Sequence, residues 1–389
     1  MTTAVGMNAM RSSVQDVSGD EGPRALVSKH GSPLLVLDCE RVRAQYRRLV
    51  DALPGVGLHY AMKALPHPAV IATLNDEGSC FDVSSSGEID VLRTSKVFAE
   101  KVIHTHPIKS DRTIRDALDF GCRRFVVDNA SEMLKFVPYR DSVTLLLRVG
   151  YPSVDAAVDL SKKFGCHPDD AFALLELGQR LQLSIGGLSF HVGSQCATPR
   201  AHVGAIDRCA ALIARARATG VASLRLLDLG GGFPVPYRGG SSEIEDFCAP
   251  IRVALKAIPQ QVRVVAEPGR YIAAPAMTGI ASVVGKARRG NAFWYYLDDG
   301  VFGSFNGRMF DPGASYPLRT VSDSVGPLQP SVLAGPTCDS IDIIEDSIVL
   351  PELNLGDLIV ADMMGAYTTV CASEFNSIPR AKIVVQNCR

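Results

Sequence analysis

The chain has 389 residues, 40 Lys and Arg against 41 Asp and Glu, a formal net charge of -1, and 47% hydrophobic residues beside 21% charged ones. That length exceeds one ordinary core and calls for a large domain with a smaller companion. The composition excludes a disordered or fibrous chain, and the balanced charge leaves no basic excess for nucleic acid or anionic lipid.

The opening stretch, MTTAVGMNAMRSSVQDVSGDEG, is polar and reads as a frayed tail. It lacks the basic flank and apolar core of a secretion signal, and no run reaches the roughly 18 apolar residues of a membrane helix, so a cytoplasmic protein is expected. Next, ALVSKHGSPLLVLD (25–38) is β-rich enough to join a sheet. Eight β-rich runs follow, at 58–64, 79–85, 102–107, 124–129, 144–150, 185–193, 223–229 and 262–267. Between them lie helix-like stretches at 67–77, 86–96, 110–120, 130–137, 169–182, 199–219 and 243–258, one of them opened by Ser110 as a cap. Eight strands alternating with helices over about 240 residues predict a (β/α)8 TIM-like barrel, with a doubly wound sheet as the alternative.

From about 276 the texture changes. FWYYLDDGVFGSF, PSVLAG, DSIVL, DLIVADMMGAYTTV and AKIVVQ are short strands separated by Gly, Pro and Asp, which predicts an all-β domain. The expected division is therefore a barrel over 36–275 and a discontinuous β domain over 23–35 and 276–389. The ten cysteines show no paired spacing, so neither a disulfide framework nor a metal site is read from them, and most read as buried small hydrophobes.

Barrel active sites lie at the C-terminal strand ends, and the polar residues of this chain collect there. Strand one ends in Lys63, strand two in Asp82 and three serines, strand five in Arg148, and strand six in His191 and Ser194. Strand seven ends in Gly230, Gly231 and Gly232, and strand eight in Glu267, Gly269 and Arg270. Taken alone, Lys63 reads as a lysine snorkelling to the barrel rim. As a functional group, desolvation in the barrel mouth lowers its pKa and makes its amine a Schiff-base former. The glycine triplet is either a tight turn or a phosphate cradle, and Arg270 supplies a bidentate fork one strand further round, so together they favour a phosphorylated ligand. Glu267 either ion-pairs with an arginine or keeps a pyridine nitrogen protonated, which turns the ring into an electron sink. His191 alone reads as a satisfied core imidazole.

YAMK ending at Lys63, FDVSSSGEI at 81–89, SFHVGSQ at 189–195, LDLGGGFP at 227–234, AEPGRY at 266–271, GPTCDSID at 335–342 and MGAYT at 364–368 together resemble the ornithine/lysine decarboxylase group of pyridoxal-phosphate enzymes. The match runs from about residue 30 onward. The resemblance implies pyridoxal phosphate carried on Lys63, with Ser194, Gly231, Gly232, Gly269, Arg270 and Tyr367 around its phosphate. It implies Glu267 at the pyridine nitrogen, His191 stacked on the ring, and Asp82 and Arg148 beside it. Cys338 would return the proton after decarboxylation, and Phe310, Asp311 and Asp339 would lie about the distal amine of a basic amino acid. It also implies a homodimer in which Cys338 and Asp339 reach into the active site of the other subunit.

Two departures from the family pattern bear on substrate length. Leu65 stands where the family commonly has an asparagine, and Pro312 and Gly313 follow Asp311 where a histidine is usual. Ornithine, lysine and a related or D-configured basic amino acid stay open. A diaminopimelate decarboxylase would need cations where Asp339 stands, an alanine-racemase-like isomerase would need an arginine in place of Glu267, and an inactive regulatory homologue would have no need of Lys63, Cys338 and Asp339 together.

Overall fold

The computed structural model describes residues 16–17, 21–151, 156–158, 160–237, 243–311 and 314–388. Eight parallel strands close into a barrel: β1 Val56–Ala61, β2 Cys80–Val83, β3 Val102–His104, β4 Arg124–Val127, β5 Thr144–Arg148, β6 Ile185–Ser189, β7 Leu226–Asp228 and β8 Arg263–Ala266. Each falls within or beside one of the eight predicted runs. The ring closes through β8 against β1, with Val265 opposite Gly57.

Both faces of these strands are covered, which is why they read as continuous apolar runs. Leu145, Leu147, Phe125 and Val127 point outward into the main core beneath the helices. Ile103, Val126 and Leu146 alternate with them and fill the barrel interior as a separate cluster that Leu226 joins. Between strands lie the helices Pro68–Asp76, Ser86–Thr94, Asp111–Phe120, Ala130–Lys135, Ala171–Arg180, Arg200–Thr219 and Ile244–Ala254. Ser110 caps its helix as expected, accepting from Thr113 N at 3.1 Å, and Ser85 and Asn129 cap theirs the same way.

The second domain is mostly sheet. Met277–Arg289 is its longest strand and pairs antiparallel with Ala292–Leu297, Leu358–Ala361 and Leu34–Asp38. Gln329–Ala334 and Ile343–Leu350 extend one side, and Leu318–Val321 pairs with Leu358–Ala361. Lys382–Gln386 lies parallel to Leu34–Asp38 on the other side. The segment before the barrel thus joins this sheet, as its sequence suggested, but only through Leu34–Asp38. Residues Pro23–His30 form a helix with Pro at its first turn. Of the expected tail, most lies outside the described residues, while Asp16–Val17 is a strand paired to Lys382–Gln386.

The same sheet explains a disulfide that the sequence reading did not include. Asp38 pairs with Gln386, so Cys39 and Cys388, 349 residues apart in the chain, are brought together with Cα atoms 5.3 Å apart and their sulfurs bonded. No local spacing could announce a pair that only the strand register creates. Cys122, Cys166, Cys196, Cys209 and Cys248 are buried, while Cys338 and Cys371 are exposed.

The two domains meet where the turn after Leu358–Ala361 lies on the short helix Arg270–Ala273. Gly365 N donates to Ala274 O at 3.1 Å, and a Cβ at Gly365 would fall inside the van der Waals shell of the Ala273 carbonyl oxygen. Only glycine allows that approach. Gly365→Ala is expected to cost at least ~2 kcal/mol through overpacking against backbone that cannot step aside. Urea denaturation checks this, and an unchanged midpoint would mean that the two backbones can separate freely.

Candidate active site

The C-terminal end of the barrel opens into a cavity lined by Lys63, His191, Ser194, Gly231, Gly232, Glu267, Gly269, Arg270 and Tyr367, together with Ala61, Leu160, Gln195 and Phe233. Nine of the residues picked from the sequence thus share one space. Lys63 sits on the single 3-10 turn Met62–Ala64 that follows β1. Its Nζ donates to Asp82 Oδ2 at 3.3 Å, and Asp82, on β2 and 1% exposed, also accepts from the Thr105 hydroxyl.

Desolvation was expected to lower the pKa of Lys63. Burial does oppose its charge, but the carboxylates of Asp82 and Glu267 and the Tyr367 hydroxyl outweigh it, and the Lys63 ammonium is held above the ordinary lysine value. In this state the amine is stored as its cation. The loop after β2 is fixed by reciprocal capping: Ser85 Oγ accepts from Glu88 N at 3.3 Å, and Glu88 Oε2 accepts from Ser84 N at 2.5 Å. Burial raises the Glu88 carboxyl to about 7.

His191 follows β6. Burial, then the cations Arg148 and Lys63, push its imidazole far below the usual histidine range, so the ring is neutral. Its Nδ1 accepts from Gly193 N at 3.2 Å, which leaves the Nδ1 lone pair engaged and fixes the ring plane. After β7, a Cβ on Gly231 would come within 2.9 Å of Glu267 O and 3.1 Å of His191 Nε2, and Gly232 has φ +101°. These positions bring bare backbone to the cavity wall. On the far side, a Cβ on Gly269 would meet the Cβ atoms of Ala61 and Ala64 at 3.1 Å.

Arg270 presents its guanidinium between the two domains. Its Nη1 donates to Tyr237 Oη at 2.7 Å, and its Nη2 to Ser194 Oγ at 3.3 Å and Asp311 Oδ2 at 2.5 Å. The Tyr367 ring lies 5.0 Å from the guanidinium carbon. Tyr367, at φ 63°, is held by its own N–H donating to Ala64 O at 2.9 Å, so a β-domain residue is tied to the turn that carries Lys63.

The remaining candidates lie elsewhere. Arg148 ends β5 and faces Glu267, Asp128, Asp228 and Asp82; burial lowers its pKa against their pull. Asp311 is 7% exposed and engaged with Arg270, whereas Phe310, at the end of the short helix Gly307–Phe310, is 51% exposed. Cys338 is exposed, its backbone N–H donating to Asn376 Oδ1 at 3.1 Å, and Asp339 Oδ1 accepts from Ile341 N at 3.0 Å. Neither Cys338 nor Asp339 lines the cavity of its own chain.

Several members escaped the sequence reading. Tyr237 and Thr105 belong to no motif. Asp228 does, as the acid of LDLGGGFP, and its position two residues past Leu226 on an inward-facing strand was the available signal.

The arrangement fits a phosphorylated pyridine aldehyde. Lys63 offers the amine, the glycine-walled floor admits a flat ring beside neutral His191, and Arg270 with Ser194 offers an anion fork at one end. Buried Glu267 lines the same cavity, and its Oε1 has no hydrogen-bond donor. Such a barrel, with a lysine, a buried acid and an anion fork about one cavity, defines the pyridoxal-phosphate class of enzymes.

The comparisons agree. Residues 39–274 match the model of the pyridoxal-dependent decarboxylase family, pyridoxal binding domain. The lysine/ornithine decarboxylase of Selenomonas ruminantium is 35% identical over 363 residues, covering 93% of this chain and 91% of the relative. The lysine/ornithine decarboxylase of Vibrio vulnificus, solved with cadaverine and again with putrescine, is 49% identical with a TM-score of 0.90 in both structures. They cover 94% and 96% of this chain and 96% and 100% of theirs. The chain belongs to the pyridoxal-dependent decarboxylase family, and its cofactor is pyridoxal phosphate.

Asp82 is the residue that keeps Lys63 charged, so removing its charge should release the amine. In cofactor-free protein at pH 8, Asp82→Asn is expected to raise the rate of Lys63 labelling by an amine-directed reagent about tenfold, the effect of losing roughly one unit of pKa. Peptide mapping measures it, and an unchanged rate would assign the retention of the proton to Glu267 alone.

Proposed function

We propose that this chain decarboxylates lysine and ornithine to their diamines, with the roles at the cavity divided as follows. Lys63 is the amine that carries the cofactor. Ser194, Gly231, Gly232, Gly269, Arg270 and Tyr367 hold its phosphate, and His191, being neutral, covers one face of the ring without repelling a cationic pyridine. Glu267 accepts a hydrogen bond from the pyridine nitrogen, while Asp82 and Arg148 fix the charge beside it. Bound pyridoxal phosphate supplies the electron sink for the pair released when carbon dioxide leaves. The observation that carries this reading is the meeting of Lys63, Glu267 and the Ser194–Arg270 fork in one buried cavity.

The substrate class rests on two acids, Asp311 beside Arg270, and Asp339, which a second copy of the chain would bring to the cavity. Asp311 and Asp339 suit a distal ammonium and repel a distal carboxylate, which separates lysine and ornithine from diaminopimelate. The cadaverine and putrescine bound by the Vibrio vulnificus enzyme are the diamines of those two amino acids, which supports the assignment. Asp311 is ion-paired to Arg270 in this state. A phosphate anion at the same fork would compete with Asp311 for the Arg270 guanidinium. The same reading keeps the cofactor-binding barrel at 36–275 and the β domain at 23–35 and 276–389, with the strand Leu34–Asp38 running across that division.

The rates of carbon dioxide release from lysine, ornithine, arginine and diaminopimelate test the substrate assignment. Lysine and ornithine should give the highest kcat/KM, with diaminopimelate at least a hundredfold lower, as expected for about 3 kcal/mol of charge mismatch at a shielded pocket. A higher kcat/KM for diaminopimelate would remove Asp311 and Asp339 from the distal end.

A homodimer with shared sites accounts for the exposure of Cys338. An isologous pair repeats each contact twice, so a site can combine Lys63 of one chain with Cys338 of the other. Lys63→Ala and Cys338→Ala proteins should each be nearly inactive. After subunit exchange, half of the dimers are hybrids, each with one doubly defective and one intact site, and activity should recover to about a quarter of wild type. Failure to recover after exchange is confirmed would place both residues in one chain's site.

A further inference from the structure

Glu267 does not stand alone at the end of β8. In the barrel register Asp228 on β7 lies opposite Val265 on β8, and Glu267 follows two residues later, so both acids point from neighbouring strands to the same inner face. Their backbones are locked together: Glu267 N donates to Gly230 O at 2.7 Å, and Gly230 N donates to Asp228 Oδ1 at 2.9 Å. The side chains are within hydrogen-bonding reach of each other, 0% and 5% exposed, and one oxygen on each, Asp228 Oδ2 and Glu267 Oε1, is buried with no donor.

Two ionised carboxylates are acceptors only. Placed face to face in a dry site they have nothing to donate, and both stay charged only if a cation intervenes. The charged groups around them do so only in part: Lys63 pulls on Glu267 and Arg148 on Asp228, but each cation is shared with other acids. Lys63 is bonded to Asp82, a third acid whose charge raises the pKa of both partners. Arg148 is divided among Glu267, Asp128, Asp228 and Asp82, and His191 is neutral. Asp128 is itself satisfied by Asn129 Nδ2 at 2.7 Å and Gly165 N at 2.8 Å.

We propose that Asp228 is the positioning residue of this site, sharing one proton with Glu267 in a buried O–H···O hydrogen bond that sets the orientation and the charge of the Glu267 carboxyl. The pair carries one negative charge between them. Asp228 touches neither substrate nor cofactor; it acts through Glu267, keeping one oxygen turned toward the strand β7 so that the other faces the cavity. Burial pushes both carboxyl groups upward; at Glu267 the charges of Asp228 and Asp82 add to it, while at Asp228 the hydrogen bond with Glu267 and the Gly230 N–H oppose it, in keeping with one retained proton across the pair. The pair exists without the cofactor, and only its bearing on the pyridine nitrogen rests on the function proposed above.

The sign of the pH effect follows from linkage. Unfolded carboxyls lose their protons near pH 4, whereas the folded pair keeps one, so the folded chain binds the extra proton and its stability falls as pH rises. The folding constant contributed by the pair should drop by up to about tenfold per pH unit between pH 5 and the pH at which the pair ionises. Asp228→Asn preserves the geometry: its Oδ1 accepts from Gly230 N and its amide donates to Glu267, but no proton is shared.

The experiment is urea denaturation of the full-length, cofactor-free chain from pH 5 to 7, comparing wild type with Asp228→Asn and Glu267→Gln. Wild type is expected to lose up to about a hundredfold more in folding constant over those two units than either variant. A merely structural role would shift all stabilities by a constant and leave the slopes parallel, and parallel slopes overturn the proposal. If Asp228→Asn does not fold, Glu267→Gln carries the same comparison, since its amide donates to Asp228. Borohydride reduction of the pyridoxal-phosphate-loaded protein, followed by peptide mapping, tests the cofactor site independently. A label away from Lys63 would remove the proposed function and leave the shared proton standing.

Discussion

Four acids and two cations meet at the upper end of the barrel: Asp82, Asp128, Asp228 and Glu267 against Lys63 and Arg148. In water this excess would be screened, but in a closed barrel it must be neutralised by partners or by retained protons. Each cation is therefore held charged by more than one acid, and the acids divide into those with donors and those without. Asp82 and Asp128 have theirs from side chains and backbone, while Asp228 and Glu267 each leave an oxygen unmet. The arrangement is poor as a structural device, since an apolar interior would be more stable. It makes sense as a site prepared for a group that brings a positive ring nitrogen to the acids and a carbonyl carbon to the amine.

The β domain completes the cavity through a few backbone contacts. Gly365 lets the turn of MGAYT lie on the Arg270 helix, and Tyr367 N reaches Ala64 O beside Lys63. The Arg270 end of the cavity is thereby assembled from three parts of the chain, with Ser194 after β6, Arg270 after β8 and Tyr367 from the sheet domain. The effect of these contacts is to fix positions, because the guanidinium of Arg270 is buried and its donors are already directed by Tyr237, Ser194 and Asp311.

Much of the barrel was legible because its signals are local. Short apolar runs, separated by helices, give every barrel strand, and strand ends give Lys63, Glu267, Arg270 and the glycine turn. Long-range register was not legible. The disulfide of Cys39 and Cys388 depends on which strand lies beside Leu34–Asp38, and the helix Pro23–His30 was hidden in a segment whose later half is strand. The charge state of Lys63 was read in the wrong direction because the sequence shows burial but not the acids that counter it. Asp228 was passed over for a related reason: its partner Glu267 is 39 positions away, and the pairing exists only across two strands.

Cys338 poses the opposite problem, since its surroundings are ordered and its thiol is open. Buried Asp342 accepts hydrogen bonds from Val301 N at 2.8 Å, Thr337 N at 3.0 Å and Thr337 Oγ1 at 2.7 Å, and Gly300 and Gly335 pack directly on its carboxylate. Asn376, at φ 56°, reaches back to accept from Cys338 N, and Phe375 stacks on Phe302 with ring centres 4.5 Å apart. An exposed loop with no binding role has little reason to be fixed at so many points. Ordering a loop when two surfaces meet costs free energy that a preformed loop does not lose at that step. An ordered loop with an exposed thiol is therefore compatible with the proposed insertion into a second copy, where the distance from thiol to cavity would have to be reproducible for one proton to be delivered at one carbon.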